Sequence, residues 1–214
     1  MIKVKRIILF TLFIANLGVA SPELQKKHEQ LFKDVKHLSV DFEQTVYKKL
    51  RDRKLERSGN AYFSQPNSFR WNFSSKKLGD EEFYYNGKKL THFRASEKTV
   101  TNYNTNIGLA KELNEVVQLV LSPQNLYDRY EVTDTKSKGA QTEIALKPKP
   151  GNTTDIKTIG IVINDKQKFV ETVKITYMDN NYTKFKFANP KFSTNKPDLF
   201  RFTRKGKFTV REHG

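Results

Sequence analysis

Gly59-Asn60-Ala61-Tyr62-Phe63-Ser64-Gln65-Pro66-Asn67-Ser68-Phe69-Arg70-Trp71-Asn72-Phe73 is the stretch on which the fold turns. Two aromatic, strand-like segments flank a Gln-Pro-Asn-Ser turn. Phe69, Trp71 and Phe73 stand at i, i+2 and i+4, so a strand puts all three rings on one face and sends Arg70 and Asn72 to the other. Tyr62 and Phe63 fall on opposite faces of the preceding strand, and spacing alone does not choose between them. The chain's only Trp lies here. A face this apolar and bulky either packs a core or lines a cavity.

Working outward, the period of two extends in both directions. Upstream, Val40, Phe42, Gln44 and Val46 alternate with Asp41, Glu43 and Thr45. A basic stretch, Lys48 to Arg57, follows with six basic and two acidic residues and reads as a solvated hairpin loop. Downstream, strands are expected at 82–85 and 88–93, joined by Asn86-Gly87, a strong hairpin signal. Further strands are expected at 98–103, 126–133, 142–146, 157–163, 169–177 and 182–187. Phe200 and Phe202 flank Arg201 in the same alternating way. Phe169, Glu171, Val173, Ile175 and Tyr177 share a face with one acidic exception. Polar residues at alternate positions imply an antiparallel sheet with one covered face.

Two helices interrupt this pattern. Residues 21–38 place Leu24, His28, Leu31, Phe32, Val35 and Leu38 on one helical face. Pro22 suits the first turn. Residues 108–121 carry a wide apolar stripe of Leu109, Leu113, Val116, Val117, Val120 and Leu121, closed by Pro123. Two helices against roughly ten expected strands leave part of a large apolar face for a ligand.

The amino terminus predicts export. Lys3, Lys5 and Arg6 precede an uncharged run from Ile7 to Ala20, which is too short for an ordinary membrane span, with Gly18 and Ala20 as small cleavage-site residues. Cleavage leaves residues 21–214 as a single domain of 194 residues. The chain has no cysteine, which excludes disulfides, thiol catalysis and zinc-thiolate sites, so an apolar core must supply the stability. The formal charge is +16, of which the three amino-terminal basic residues account for three, leaving +13. That charge points to an acidic partner, an anionic membrane surface or simple solubility. Nucleic acid is not the partner expected of an exported protein.

Nothing selects an enzyme. His28, His37, His92 and His213 are dispersed, and the first two are not at a metal-ligand spacing on a helix. No G-x-S-x-G, H-E-x-x-H or P-loop occurs. No metal site or cofactor is expected.

The order of helix, strands, central helical insert and strands resembles the periplasmic outer-membrane lipoprotein carrier family (LolA-like). Four matches carry the resemblance. Val40-Asp41-Phe42-Glu43-Gln44 is similar to a Phe-x-Gln first strand. Residues 59–73 resemble a Gly-x-hydrophobic-aromatic, Pro, Phe-x-Trp signature. Asn86-Gly87-Lys88-Lys89-Leu90 resembles an Asp-Gly-Lys-x-Leu hairpin. Phe200-Arg201-Phe202-Thr203 resembles a Phe-x-Phe-x-Pro strand near the end. Many members place an Arg before the turn proline to hold a helical lid shut. Here Gln65 stands there and implies a gate without charge assistance.

The resemblance implies an α+β, mainly antiparallel fold: an incomplete (half) β-barrel with helices covering its open face. It implies a periplasmic chaperone that takes acylated lipoproteins from an inner-membrane ABC transporter and passes them to an outer-membrane receptor, acting as a monomer. The lipid-binding wall it implies is Phe42, Tyr62, Phe69, Trp71 and Phe73, with Val116, Val117 and Val120 as lid and Gln65 as gate. Such a site needs a dry apolar wall rather than an acid, base or nucleophile. One long acyl chain would gain on the order of 10 kcal/mol on burial. The alternative on the same fold is a sensor or interaction domain that binds lipid or lipoprotein without shuttling it.

Overall fold

The computed structural model describes residues 22–75, 79–103, 109–121, 126–152, 154–192 and 197–213. The expected signal segment lies outside them. Twelve strands form one sheet, in the order β12-β6-β5-β4-β3-β2-β1-β11-β10-β9-β8-β7. They are β1 (His37–Lys48), β2 (Arg53–Ser64), β3 (Ser68–Ser74), β4 (Glu81–Asn86), β5 (Leu90–Arg94), β6 (Thr99–Tyr103), β7 (Tyr130–Lys138), β8 (Gln141–Pro148), β9 (Ile156–Asn164), β10 (Phe169–Tyr177), β11 (Tyr182–Phe192) and β12 (Thr209–His213). Neighbours are antiparallel except β12, which runs parallel to β6. The sheet does not close; β12 and β7 are its two edges.

Among the described residues three α-helices accompany it: α1 (Pro22–Phe32), α2 (Leu109–Leu121) and α3 (Leu126–Arg129). The apolar stripe of α2 is buried, from Leu113 through Val116, Val117 and Val120 to Leu121. It shares one core with the inward rows of β1–β4 and β8–β11. Phe32 of α1 joins that core, and Lys27 anchors the same helix by reaching Asp165 at 2.8 Å.

The sheet is strongly curved. Trp71 on β3 and Phe185 on β11 are three strands apart, yet their ring centroids lie 5.1 Å from each other. Flat strands would hold their backbones about 14 Å apart. Small residues between them, Gly59 and Ala61 on β2, leave the rings room to converge. A Cβ on Gly59 would sit 1.8 Å from the Asn72 carbonyl oxygen, so only glycine allows this approach of β2 to β3.

Several expectations need correction. The first helix ends at Phe32 rather than Leu38, because β1 begins pairing with β2 at His37↔Ser64 and claims Leu38 for the sheet. The basic stretch is mostly strand: only a 3-10 turn at Lys49–Arg51 and Asp52 make the hairpin tip, and ladder pairing resumes at Lys48↔Arg53. Residues 126–129 are helical, since Leu126 and Tyr127 are both buried and a strand would send one of them outward. In β10 a bulge between Val170 and Thr172 takes Glu171 out of the inner row, where it accepts a hydrogen bond from Asn164 at 2.7 Å. Phe200 closes a 3-10 turn, Pro197–Phe200, instead of a strand. The final strand, β12, was not expected.

Candidate functional site

The inner face of β1–β4 and β11 is a layer of aromatic rings. Phe42 meets Trp71 and Phe73 edge-on, each at 4.9 Å between centroids. Phe63 meets Trp71 at 5.1 Å, and Phe185 closes on the same indole. Phe69 extends the layer to Tyr85 at 5.1 Å. Tilted and edge-to-face pairs like these add about 0.5–1.5 kcal/mol each beyond the burial of their area. Trp71 is fully excluded from water, and its Nε1–H finds no acceptor among the described residues.

Of the residues expected in the wall, Phe42, Phe69, Trp71 and Phe73 lie together on this face. Val116, Val117 and Val120 of α2 are buried in the same core. Tyr62 does not belong with them. It is half-buried on the opposite face of β2, paired with Arg70, whose guanidinium lies 6.0 Å from its ring. Phe63 takes the inward place. The turn centres on Pro66, so Ser64↔Ser68, Phe63↔Phe69 and Ala61↔Trp71 are opposite one another. Reading the loop as three residues, 65–67, would have put Phe63 beside Phe69. Phe185 and Phe187, which share a face of β11, belong to the wall without having been expected there; they lie 5.1 and 6.2 Å from Trp71.

Gln65 lies between this layer and α2. Its Nε2 donates to the carbonyl oxygen of Leu121, the last residue of the helix, over 3.0 Å. A helix leaves its final four carbonyls without internal partners, so this bond satisfies one of them. It also ties the end of α2 to the β2–β3 turn.

Sequence reasoning missed a polar group at one end of the inner face. Arg57 Nε donates to Gln44 Oε1 at 2.9 Å, and its Nη1 lies 3.3 Å from Glu81 Oε2. The Arg57 guanidinium also stands 4.2 Å over the Phe73 ring. His92, stacked on Phe83 at 4.0 Å, brings Nε2 to 3.7 Å from Glu81, and Arg94 approaches from the other side at 3.7 Å. The polar contact from His92 does most to hold the Glu81 carboxyl below its ordinary 4.5; burial opposes it, and the charges of Arg57 and Arg94 reinforce it. Gln44 is buried, and its Nε2 has no partner among the described residues. The inner face is therefore apolar along most of its length, with a polar, hydrogen-bonding end.

On the convex face, Glu82 binds Arg70 and Arg204 and accepts from Tyr84. Burial, with that hydrogen bond, pushes the Tyr84 hydroxyl up to about 12. Phe202 and Phe208 pack on Phe93 there, which is what the Phe-Arg-Phe segment does in place of a strand. Among the described residues, no three His, Asp or Glu side chains gather where they could hold a metal ion.

The family model for outer membrane lipoprotein carrier protein LolA matches residues 33–203. No curated protein matches the chain in sequence. Among solved structures, an uncharacterized conserved protein from Thermus thermophilus is similar with a TM-score of 0.56 at 8% identity, over 89% of this chain and 98% of that one. A DUF1329 family protein from Desulfovibrio piger gives 0.48 at 10% identity, over 83% and 94% of the two chains. A LolA superfamily protein from Nitrosomonas europaea gives 0.47 at 7% identity, over 86% and 99%. At these identities the likeness concerns the fold alone.

Proposed function

Since the chain belongs to the LolA family of outer membrane lipoprotein carriers, we propose that it is a periplasmic carrier that holds the acyl chains of lipoproteins against the aromatic face and shuttles them to the outer membrane. In this reading α1 and α2 cover the open side of the half-barrel. Val116, Val117 and Val120 form the inner surface of a lid. Phe42, Phe63, Phe69, Trp71 and Phe73 form the wall beneath it, and Gln65 is the latch. The donor and acceptor are those the family implies: an inner-membrane lipoprotein-releasing ABC transporter on one side and an outer-membrane receptor on the other.

The observation that supports the reading is an aromatic layer whose core is shared by the buried face of α2, a helix tied at its end by a neutral hydrogen bond from Gln65 and along its length by the Glu115–Arg129 ion pair at 3.1 Å. A carrier needs a cover that can leave, because an acyl chain has to replace α2 against the rings. The orphan Trp71 Nε1–H suits an ester carbonyl of incoming cargo, which would accept from it.

Spheroplasts loaded with labelled lipoprotein test this directly. Adding the purified protein should release lipoprotein into the supernatant as a soluble complex. Phe69→Glu should abolish that release and the binding of acyl probes, while circular dichroism shows the sheet intact. Acyl binding without release would make the protein a sensor or interaction domain. Neither binding nor release would leave the rings as ordinary core.

A further inference from the structure

Lys48 to Lys54, the most basic part of the chain, has no part in the site above. It forms the tip of the β1–β2 hairpin, and that tip projects. Pairing of β1 with β11 ends at Tyr47↔Tyr182, and pairing of β2 with β3 ends at Ser58↔Ser74. Lys48 to Arg53 therefore lie beyond both neighbours. At the end stands Leu50, 98% exposed.

The tip is built rather than loose. The Lys49 backbone N–H donates to Asn181 Oδ1 at 2.8 Å, and Tyr47 Oη donates to Asp52 Oδ1 at 2.9 Å. Tyr47 and Tyr182 stack at 5.1 Å beneath it. These contacts join it to the β10–β11 turn, which presents Met178, 60% exposed. Of the four large apolar side chains that the described residues leave exposed, two are on these adjoining tips. Between them lies a depression of about 920 Å³.

Single exposed leucines are commonplace. The charge around this one is not. Lys48, Lys49, Arg51, Arg53 and Lys54 are all exposed, and among the described residues none is in an ion pair. Lys157 adds a sixth cation, through its bond to Asn180 at 2.9 Å. Asp52 and Asp179 oppose them within the tips, and both already accept hydrogen bonds, from Tyr47 and Asn181; Asp155, whose carbonyl oxygen accepts from the Met178 N–H at 2.9 Å, is a third acidic neighbour. An apolar point ringed by unpaired cations matches one surface in particular: anionic headgroups outside, acyl chains a few ångströms deeper. An acidic protein would meet the cations but would leave Leu50 and Met178 without an apolar partner.

We propose that the paired tips of the β1–β2 and β10–β11 hairpins dock the protein on anionic lipid bilayers, with Leu50 and Met178 inserted among the acyl chains and the surrounding lysines and arginines on the headgroups. This docking is separate from acyl carriage, since none of these residues touches the aromatic wall.

Vesicle flotation with the full mature chain tests it. Binding should appear on phosphatidylcholine vesicles containing roughly 30–40% phosphatidylglycerol, stay weak on pure phosphatidylcholine, and fall in about 0.5 M salt. Lys48→Gln with Lys49→Gln should lower the partition coefficient roughly 10- to 30-fold, and Leu50→Ser about 5- to 10-fold. A control with the same charge change on the convex face, Lys184→Gln with Lys186→Gln, should alter it about twofold or less. All variants should keep acyl-probe binding, which separates this result from the carrier reading. No binding to anionic vesicles, an equal loss in the control, or indifference to Leu50→Ser would each overturn the proposal. So would capture of an acidic protein by these tips without vesicle binding.

Discussion

Replacing Gln65 by Ala removes one bond and should loosen one helix. The Nε2–H donates to the Leu121 carbonyl over 3.0 Å in a half-buried setting. A neutral bond of this kind is worth about 1 kcal/mol net. Its loss should shift the opening of α2 by a factor of about 5. Arg at this position gives a charge-assisted bond roughly twice as strong, and a cation beside a helix C-terminus adds about 0.3–1 kcal/mol. Glu would set a negative charge against the same carbonyl. Opening should therefore rank Glu, Ala, Gln, Arg from easiest to hardest. Amide hydrogen exchange of residues 113–121 measures it. If the open form is the one that accepts cargo, acyl-probe affinity should follow the same order, tightest in the most open variant. Unchanged exchange in α2 for both Gln65→Ala and Gln65→Arg would refute the latch. So would an equal acceleration across β8–β10, which would mean a global loss of stability.

Trp71, the sole and fully buried indole, should emit at short wavelength and resist acrylamide quenching; Trp71→Ala should cost about 3–5 kcal/mol in urea unfolding. Gly59→Ala drives a methyl onto the Asn72 carbonyl and should destabilise by at least about 1–3 kcal/mol, with exchange rising first in β2 and β3. Glu81 has a folded pKa below its ordinary 4.5, so its contribution is complete above pH 4.5 and is lost as pH falls through the lower folded value. Glu81→Gln should thus lower stability at neutral pH by about 1–3 kcal/mol, as Arg57 loses its carboxylate contact, and should flatten the decline below pH 4.5 in urea midpoints.

Where a residue's role depended on alternation, the sequence was legible. Phe69, Trp71 and Phe73 share a face because strand geometry leaves no other arrangement. Gly87, at φ +88, lies in the turn after β4, but with Tyr85 opposite Leu90 that turn spans residues 86–89, so β5 starts at Leu90 rather than Lys88. What alternation cannot express was not legible. Tyr62 and Phe63 are adjacent aromatics whose facing depends on the length of one loop. Leu38 obeys helical spacing from α1 but is held by β2. The parallel pairing of β12 with β6 joins residues more than a hundred positions apart, with no local signal for it. The Gln44–Arg57–Glu81–His92 group draws on four strands, and each member alone reads as an ordinary polar residue. Gln65 was legible as a position and not as a bond; its partner sits 56 residues away at the end of another helix.

A latch worth about 1 kcal/mol matters only if what it restrains is nearly balanced. The buried face of α2 offers Leu113, Val116, Val117, Leu119, Val120 and Leu121 to the core. At about 1.5–3 kcal/mol per fully buried side chain, exposing them costs on the order of 10 kcal/mol. An acyl chain of some sixteen carbons, at about 0.8 kcal/mol per CH₂, recovers an amount of the same order. On the carrier reading proposed above, helix and cargo would be close competitors for one aromatic surface, and the apolar area facing water would change little as one replaced the other. Under that near-balance the Gln65–Leu121 bond, beside the Glu115–Arg129 ion pair, would bias the resting position. A charged Arg at the position of Gln65 would bias it towards the closed form. On the same reading, a neutral Gln would leave α2 easier to displace by cargo than an Arg in its place.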